Sequence, residues 1–154
     1  MWNVENIPVA VQKYRIVSFD IFDTLIKRDL VNPTDIFGYV EIEYNKKHTE
    51  SKINGFAEQR VYAEREARKL RYPNEVTLNE IYELCDLPNK NELMKIEEEL
   101  EVFFCFPNIP VVEAYNKCRA SGKRIVLTSD MYLSQNVITR MLNKCGIDGY
   151  EKIY

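Results

Sequence analysis

The sequence predicts an α/β fold, a small parallel sheet of three core strands with a helical segment inserted between the first two. Short runs rich in β-branched and aromatic residues recur at 15–19, 124–128 and 152–154. The last two are separated by an amphipathic helical pattern, and a strand–helix–strand alternation is what parallel pairing requires, because a parallel partner is reached only through a crossover. Roughly 80 residues of helical character lie between the first two runs, far more than one crossover needs.

The elements follow in order. Residues 15–19 (RIVSF) read as a buried strand ending on Asp20. Asn32-Pro33 opens the first inserted helix, with Pro33 where a missing N–H costs nothing, and its apolar face is Ile36, Phe37, Val40 and Tyr44. A second helix, about 56–70, aligns Phe56, Ala63, Ala67 and Leu70. Thr77 and Glu80 form a capping box ahead of Ile81, Leu84 and Cys85. The fourth helix sets Leu93, Ile96, Leu100, Phe103 and Phe104 on one face, so that the run Glu97-Glu98-Glu99 and Glu101 is expected mostly to face solvent. Val111, Val112, Tyr115 and Cys118 share the next helical face, which stops at Ser121-Gly122. The second strand, 124–128 (RIVLT), ends on Ser129-Asp130. Ser134 is the expected N-cap of a helix bearing Val137, Ile138, Met141, Leu142 and Cys145 on one face, with Gly146 as its terminator. Lys152-Ile153-Tyr154 begins the third strand. These boundaries give a core of residues 1–29 and 107–154 and a helical insertion of residues 30–106.

With 45% apolar and 29% charged residues, the chain has the balance of a globular protein rather than a disordered one. A net charge of −3 supplies no field that favours nucleic acid or an anionic membrane surface. No apolar run approaches the ~20 residues that span a bilayer. The N-terminal residues are polar and acidic where a signal peptide has a basic flank, so a cytoplasmic protein is expected. Cys85, Cys105, Cys118 and Cys145 form no C-x-x-C, and the single His48 cannot supply the imidazoles usual at zinc. Reduced, buried thiols are expected, and His48, in the polar stretch 45–52, is expected to be solvated.

The chemistry concentrates in 18–25 (SFDIFDTL), where Asp20 and Asp23 follow a strand directly. In open α/β sheets the ligand crevice lies beyond the carboxyl ends of the strands, so a carboxylate there stands at its floor. These residues resemble the first motif of the haloacid dehalogenase-like (HAD) superfamily, whose core is a Rossmannoid parallel sheet. The phrases SFDIFDTLIKR and TSDMYLS look like a subgroup of predicted HAD hydrolases, some of which accompany surface-polysaccharide biosynthesis. The insertion is similar to the family's helical C1-type cap, including Phe56, Arg60, Glu64 and Arg68. The resemblance implies Asp20 as nucleophile, Thr24 as the residue fixing the turn, and Ser129, or alternatively Thr128, as the hydroxyl on the transferred group. It further implies Mg²⁺ held by Asp20 and the backbone carbonyl of Phe22, and hydrolysis of a small phosphorylated substrate through an aspartyl-phosphate.

Two departures from the family pattern shape the alternatives. Phe22 stands where family phosphomonoesterases carry a leaving-group acid, and Asp23, the possible acid/base, is one residue out of register. In this the motif is closer to the 2-haloacid dehalogenases, which displace halide from carbon without metal. The family's downstream Lys and acidic pair follow the third strand, where this chain ends. A truncated core is therefore expected, one that binds Mg²⁺ weakly and turns over slowly, or else a catalytically silent module of a larger protein. Arg28 is read as facing an anionic substrate or the surface. Arg60 is read as a substrate contact or as the partner of Glu64 in an i,i+4 ion pair, and Met131 and Tyr132 as pocket lining or packing. The third strand's exposed edge is a possible homodimer contact.

Overall fold

A computed structural model describes residues 4–154. Among the described residues the order is α1 (Ile7–Ala10), β1 (Ile16–Asp20), β2 (Ile26–Arg28), α2 (Ile36–Lys47), α3 (Phe56–Arg71), α4 (Leu78–Glu83), α5 (Lys90–Phe104), β3 (Cys105–Pro107), α6 (Ile109–Ala120), β4 (Arg124–Thr128), α7 (Gln135–Lys144) and β5 (Lys152–Ile153). The described residues are thus mixed α/β, with seven α-helices and a three-stranded parallel sheet. No helix among the described residues is long and apolar enough to cross a membrane.

The chain divides into two compact units. The sheet unit takes the described residues up to Arg28, Cys105–Asp130 and Thr139–Tyr154, and the helical unit takes Asp29–Phe104 and Met131–Ile138.

In the sheet unit the strand order is β1-β4-β5, all parallel, with Ile16 beside Arg124 and Asp20 beside Thr128. Both strands alternate in burial: Val17, Phe19, Ile125 and Leu127 are inside, whereas Ile16, Ser18, Asp20, Arg124 and Thr128 are exposed. The expectation of a wholly buried first strand is corrected here. The parallel register brings the four inward residues onto one face, where the Tyr115 ring of α6 meets Phe19 edge-on at 5.3 Å. The opposite face keeps its polar residues in solvent.

A second pairing had no counterpart in the sequence pattern: β2 and β3 form an antiparallel pair, Ile26 beside Pro107 and Arg28 beside Cys105. Each is only three residues long, and the partners are far apart in sequence, so no local pattern announces them. The Lys123 ammonium, just before β4, donates to the carbonyls of Gln12 and Tyr14 at 2.5 and 2.7 Å, tying the approach to β1 to the start of β4.

The turn into β5 depends on Gly149. Its φ is +76°, and a Cβ there would lie 2.7 Å from Nη1 of Arg119, the same nitrogen that donates to the Asp148 carbonyl at 2.8 Å. Gly149→Ala is expected to destabilise the protein by more than ~1 kcal/mol, from left-handed strain and from displacement of Arg119. The urea midpoint is the measurement, and Gly146→Ala, with φ +69° and nothing within 4 Å of its Cβ, separates the strain from the clash.

All four cysteines are buried and reduced. Burial pushes the Cys85 and Cys118 thiols above their ordinary range, and the hydrogen bond shared with Cys105 (Sγ–Sγ 3.9 Å), together with burial, does the same for Cys145. Such thiols carry little thiolate and react as small apolar side chains.

The core of the helical unit is Ile36, Phe37, Val40 and Tyr44 of α2, Phe56, Ala63 and Ala67 of α3, Ile81 and Tyr82 of α4, and Leu93 and Ile96 of α5. Thr77 and Glu80 form the capping box of α4 in both directions. Leu70 and Phe103, expected inside, are 74% and 69% exposed. Glu97 and Glu101, expected in solvent, are 0% and 1% exposed.

The physical cause is Arg60, whose side chain is fully buried. Its Nε and Nη2 donate to the two oxygens of Glu97 at 3.0 and 2.8 Å, and Nη1 donates to Glu64 at 3.1 Å. The Tyr82 hydroxyl donates to Glu97 at 2.7 Å, and the rings of Phe37, Tyr82 and Tyr132 lie 4.7, 5.7 and 4.9 Å from the guanidinium. Burial acts to lower the Arg60 pKa, but the Glu97 carboxylate outweighs it and holds the group above its ordinary value, charged at every working pH. A charge so placed needs a carboxylate facing inward, and the face of α5 turns to supply Glu97 at the expense of Phe103.

Candidate functional site

At its carboxyl end β1 leaves the ladder through one last bond, from the Ile21 amide to the Thr128 carbonyl at 3.1 Å. The amides of Leu25 and Ile26 then both return to the Ile21 carbonyl, at 2.9 and 3.0 Å, closing a tight loop. Ile21, Leu25 and Ile26 are buried and anchor its two ends, so the intervening polar residues stand at its crest. Asp23 is exposed there, and Asp20, the last residue of β1, is exposed just before the loop. Asp23 adopts φ +55°, a left-handed conformation that Asp tolerates better than most residues.

Thr24 turns back across this loop, and its hydroxyl donates to Oδ2 of Asp20 at 2.7 Å. Thr24 is itself held, its carbonyl accepting from Nδ2 of Asn108 at 2.8 Å, while the Asn108 amide bonds the Leu25 carbonyl at 2.9 Å. Asn108 was missed in the sequence, where its place before Ile109-Pro110 reads as an ordinary helix N-cap. It occupies the N-cap position of α6, yet its side chain makes no capping bond and serves the Thr24 loop instead. Thr24→Val is expected to cost about 1 kcal/mol, the net worth of one hydrogen bond, as a fall in the urea midpoint. No loss of stability would mean that the hydroxyl is not holding the loop.

Phe22 is half-buried and bridges to Ile26 through its backbone. The Arg28 guanidinium lies over its ring, 5.0 Å from the centroid, so the position two residues beyond Asp20 holds an aromatic face under a fixed positive charge. On the neighbouring strand, Thr128 is the cross-strand partner of Asp20, and its hydroxyl donates to the Phe19 carbonyl at 3.4 Å. Ser129, half-buried, follows at the strand end with its amide on the Tyr154 carbonyl at 2.9 Å. Asp20, Thr24, Thr128 and Ser129 therefore collect at the carboxyl ends of β1 and β4, with Phe22, Asp23 and Arg28 on the loop and short strand that follow.

Arg60 belongs to the helical unit, where Glu97 and Glu64 take up its guanidinium, so the ion pair left open in the sequence is present. Tyr132 packs on Arg60 in the same unit, and its carbonyl accepts from the Leu78 amide at 2.9 Å. His48 is not a free loop residue: it stacks on Tyr44 at 4.2 Å and bonds Glu92 at 3.0 Å.

The described residues contain no cluster of three or more His, Cys, Asp or Glu side chains able to hold a metal. The end of β1 presents oxygen donors, the two oxygens of the exposed Asp20 carboxylate. In kind these suit a hard cation that retains waters. The chain matches no protein-family model and no curated protein.

Proposed function

We propose that the chain is a HAD-like hydrolase that moves the phosphoryl group of a small phosphorylated molecule onto Asp20 and then to water. The observation that carries this reading is an exposed carboxylate at the end of a parallel strand, braced by the Thr24 hydroxyl at 2.7 Å and flanked by Thr128 and Ser129. Thr24 orients one oxygen of Asp20 and leaves the other to attack phosphorus in line. Ser129 is suited to donate a hydrogen bond to a phosphoryl oxygen, whereas the Thr128 hydroxyl donates to the Phe19 carbonyl instead. Asp20 and the Phe22 carbonyl are the residues that would hold Mg²⁺, which when bound offsets charge on the phosphoryl group. In this reading the helical unit takes the part of an inserted C1-type cap.

One observation favours a second reading. Phe22 under Arg28 offers no acid at that position, as suits displacement of halide from carbon, with Arg28 as the cation beside a substrate carboxylate.

The test is a panel of small phosphorylated compounds incubated with the chain in Mg²⁺ or in EDTA, read as phosphate release and as an 80 Da adduct on the peptide bearing Asp20. Metal-dependent adduct or release, lost in Asp20→Asn, supports the phosphatase. Metal-independent chloride release from a 2-chloroacid, with no phosphoryl adduct from any donor, would replace it with the second reading.

A further inference from the structure

Two buried sulfurs in the sheet unit stand apart from the chemistry at Asp20. Cys105 opens β3, where it pairs with Arg28 of β2, and Cys145 follows the last turn of α7. They are 40 positions apart in the chain, yet their Sγ atoms lie 3.9 Å apart and share a hydrogen bond. Both are reduced. Among the described residues no other two thiols are in contact: Cys85 turns to the Ile81 carbonyl at 3.7 Å, and Cys118 is buried on α6.

Main-chain structure holds each sulfur in place. Beside Cys105 the Asp29 amide bonds the Phe104 carbonyl at 2.9 Å, and the Cys145 amide bonds the Met141 carbonyl at 3.0 Å. Gly146, at φ +69°, then turns the chain away from α7, and the Ile147 amide closes that turn on the Leu142 carbonyl at 2.9 Å. The Cys105 thiol also reaches the Met141 carbonyl, at 3.9 Å, so both cysteines are tied to the same residue of α7. A disulfide sets its sulfurs about 2.05 Å apart, so from 3.9 Å each has roughly 1 Å to travel. A modest turn about each Cα–Cβ bond covers that distance without moving the backbone.

From this geometry we infer that Cys105 and Cys145 are an oxidation site, a dithiol that closes reversibly to a disulfide on meeting a hydroperoxide. Cys145 is 7% exposed and Cys105 2%, so Cys145 is the sulfur that the oxidant reaches first. With hydrogen peroxide, the Cys145 sulfur bonds one peroxide oxygen, the O–O bond breaks, and water leaves behind a sulfenic acid. The Cys105 sulfur then bonds the Cys145 sulfur, the S–O bond breaks, and the hydroxyl departs with the Cys105 proton as a second water. The two thiols give up two electrons, which reduce the peroxide, and a small dithiol returns them by thiol–disulfide exchange. Burial slows the first step, so the pair stays reduced until oxidant accumulates. Once formed, the bond joins the start of β3 to the end of α7 and closes the chain between them into one loop.

The experiment treats the folded protein with hydrogen peroxide, blocks the remaining thiols with N-ethylmaleimide in urea, and maps the peptides without reductant. The expected product is a peptide pair joined through Cys105 and Cys145, lighter by two hydrogens and reopened by dithiothreitol, with Cys85 and Cys118 alkylated. The oxidised protein is expected to unfold at a urea midpoint about 1 M higher than the reduced one, because the cross-link constrains the unfolded chain. Cys145→Ser is expected to lose both the cross-link and the shift, and Cys105→Ser to leave a sulfenic acid on Cys145 that dimedone traps. The same oxidation carried out in urea is expected to pair the four thiols without that selectivity, so that selective closure reports the folded geometry. Mixed pairing in the folded protein, a Cys145 sulfinic acid with no cross-link, or two thiols that survive excess peroxide would each overturn the inference. A cross-linked protein that unfolds at a lower midpoint than the reduced one would overturn it too, since the bond would then distort the fold rather than fit it.

Discussion

Arg60→Met is expected to lower the stability of the protein by about 3–5 kcal/mol, the largest stability effect of any single replacement named above. The reason is the anion that stays behind rather than the cation that is removed. Glu97 is fully buried, with both oxygens committed to Arg60 and one also accepting from Tyr82, and the variant leaves that carboxylate without a counter-charge. Arg60→Lys is expected to recover only part of the loss, because a single ammonium cannot bond both oxygens of Glu97 and also reach Glu64. The double variant Arg60→Met/Glu97→Leu is expected to regain most of it, since an apolar pair of similar volume avoids burying charge. Urea unfolding of the wild type, Arg60→Met, Glu97→Leu and the double variant measures the cycle, with Arg60→Lys unfolded beside them. A double variant as unstable as Arg60→Met would show that aromatic packing around the guanidinium, rather than charge pairing, dominates the site.

Asp20→Asn is expected to have the opposite profile. Asp20 is exposed at a strand end, so an isosteric amide changes stability by no more than about 0.5 kcal/mol. The amide oxygen still accepts from Thr24, and the loop keeps its backbone bonds to Ile21. The variant removes the proposed nucleophile, and formation of the adduct is expected to fall by on the order of 10³-fold or more. Measuring both quantities on one preparation separates a chemical role from a structural one. A variant that unfolds at the wild-type midpoint but retains the adduct would show that another residue is the acceptor. One that is strongly destabilised would show that Asp20 holds the strand end together.

Much of the fold was legible because its signals are local. Capping chemistry marks Thr77 and Glu80, a fixed φ marks Pro33, and left-handed glycines follow the ends of α6 and α7, with Gly122 and Gly146 at φ +74° and +69°. The three parallel strands were visible as β-branched runs separated by helical periodicity. Asp20 was legible for a similar reason, since a carboxylate directly after such a run, followed by Thr24 and Leu25, is a local pattern. Asn108, the β2–β3 pair and the single-sided burial of β1 were not, because each depends on a partner distant in the chain.

The exchange of Glu97 for Phe103 on α5 shows most clearly where a sequence stops. Periodicity and hydrophobicity put the phenylalanine inside and the glutamate outside. The tertiary structure decided otherwise, because Arg60 of α3 is enclosed by three aromatic rings, and an enclosed cation must be met by an anion. The sequence by itself determined most of the helices, the three parallel strands and the place of the Asp20 carboxylate at a strand end. Only the tertiary structure decided which charges are buried, which face of the sheet is open, and that Arg28 rather than an acid covers Phe22, because each depends on groups that meet only when the chain has folded.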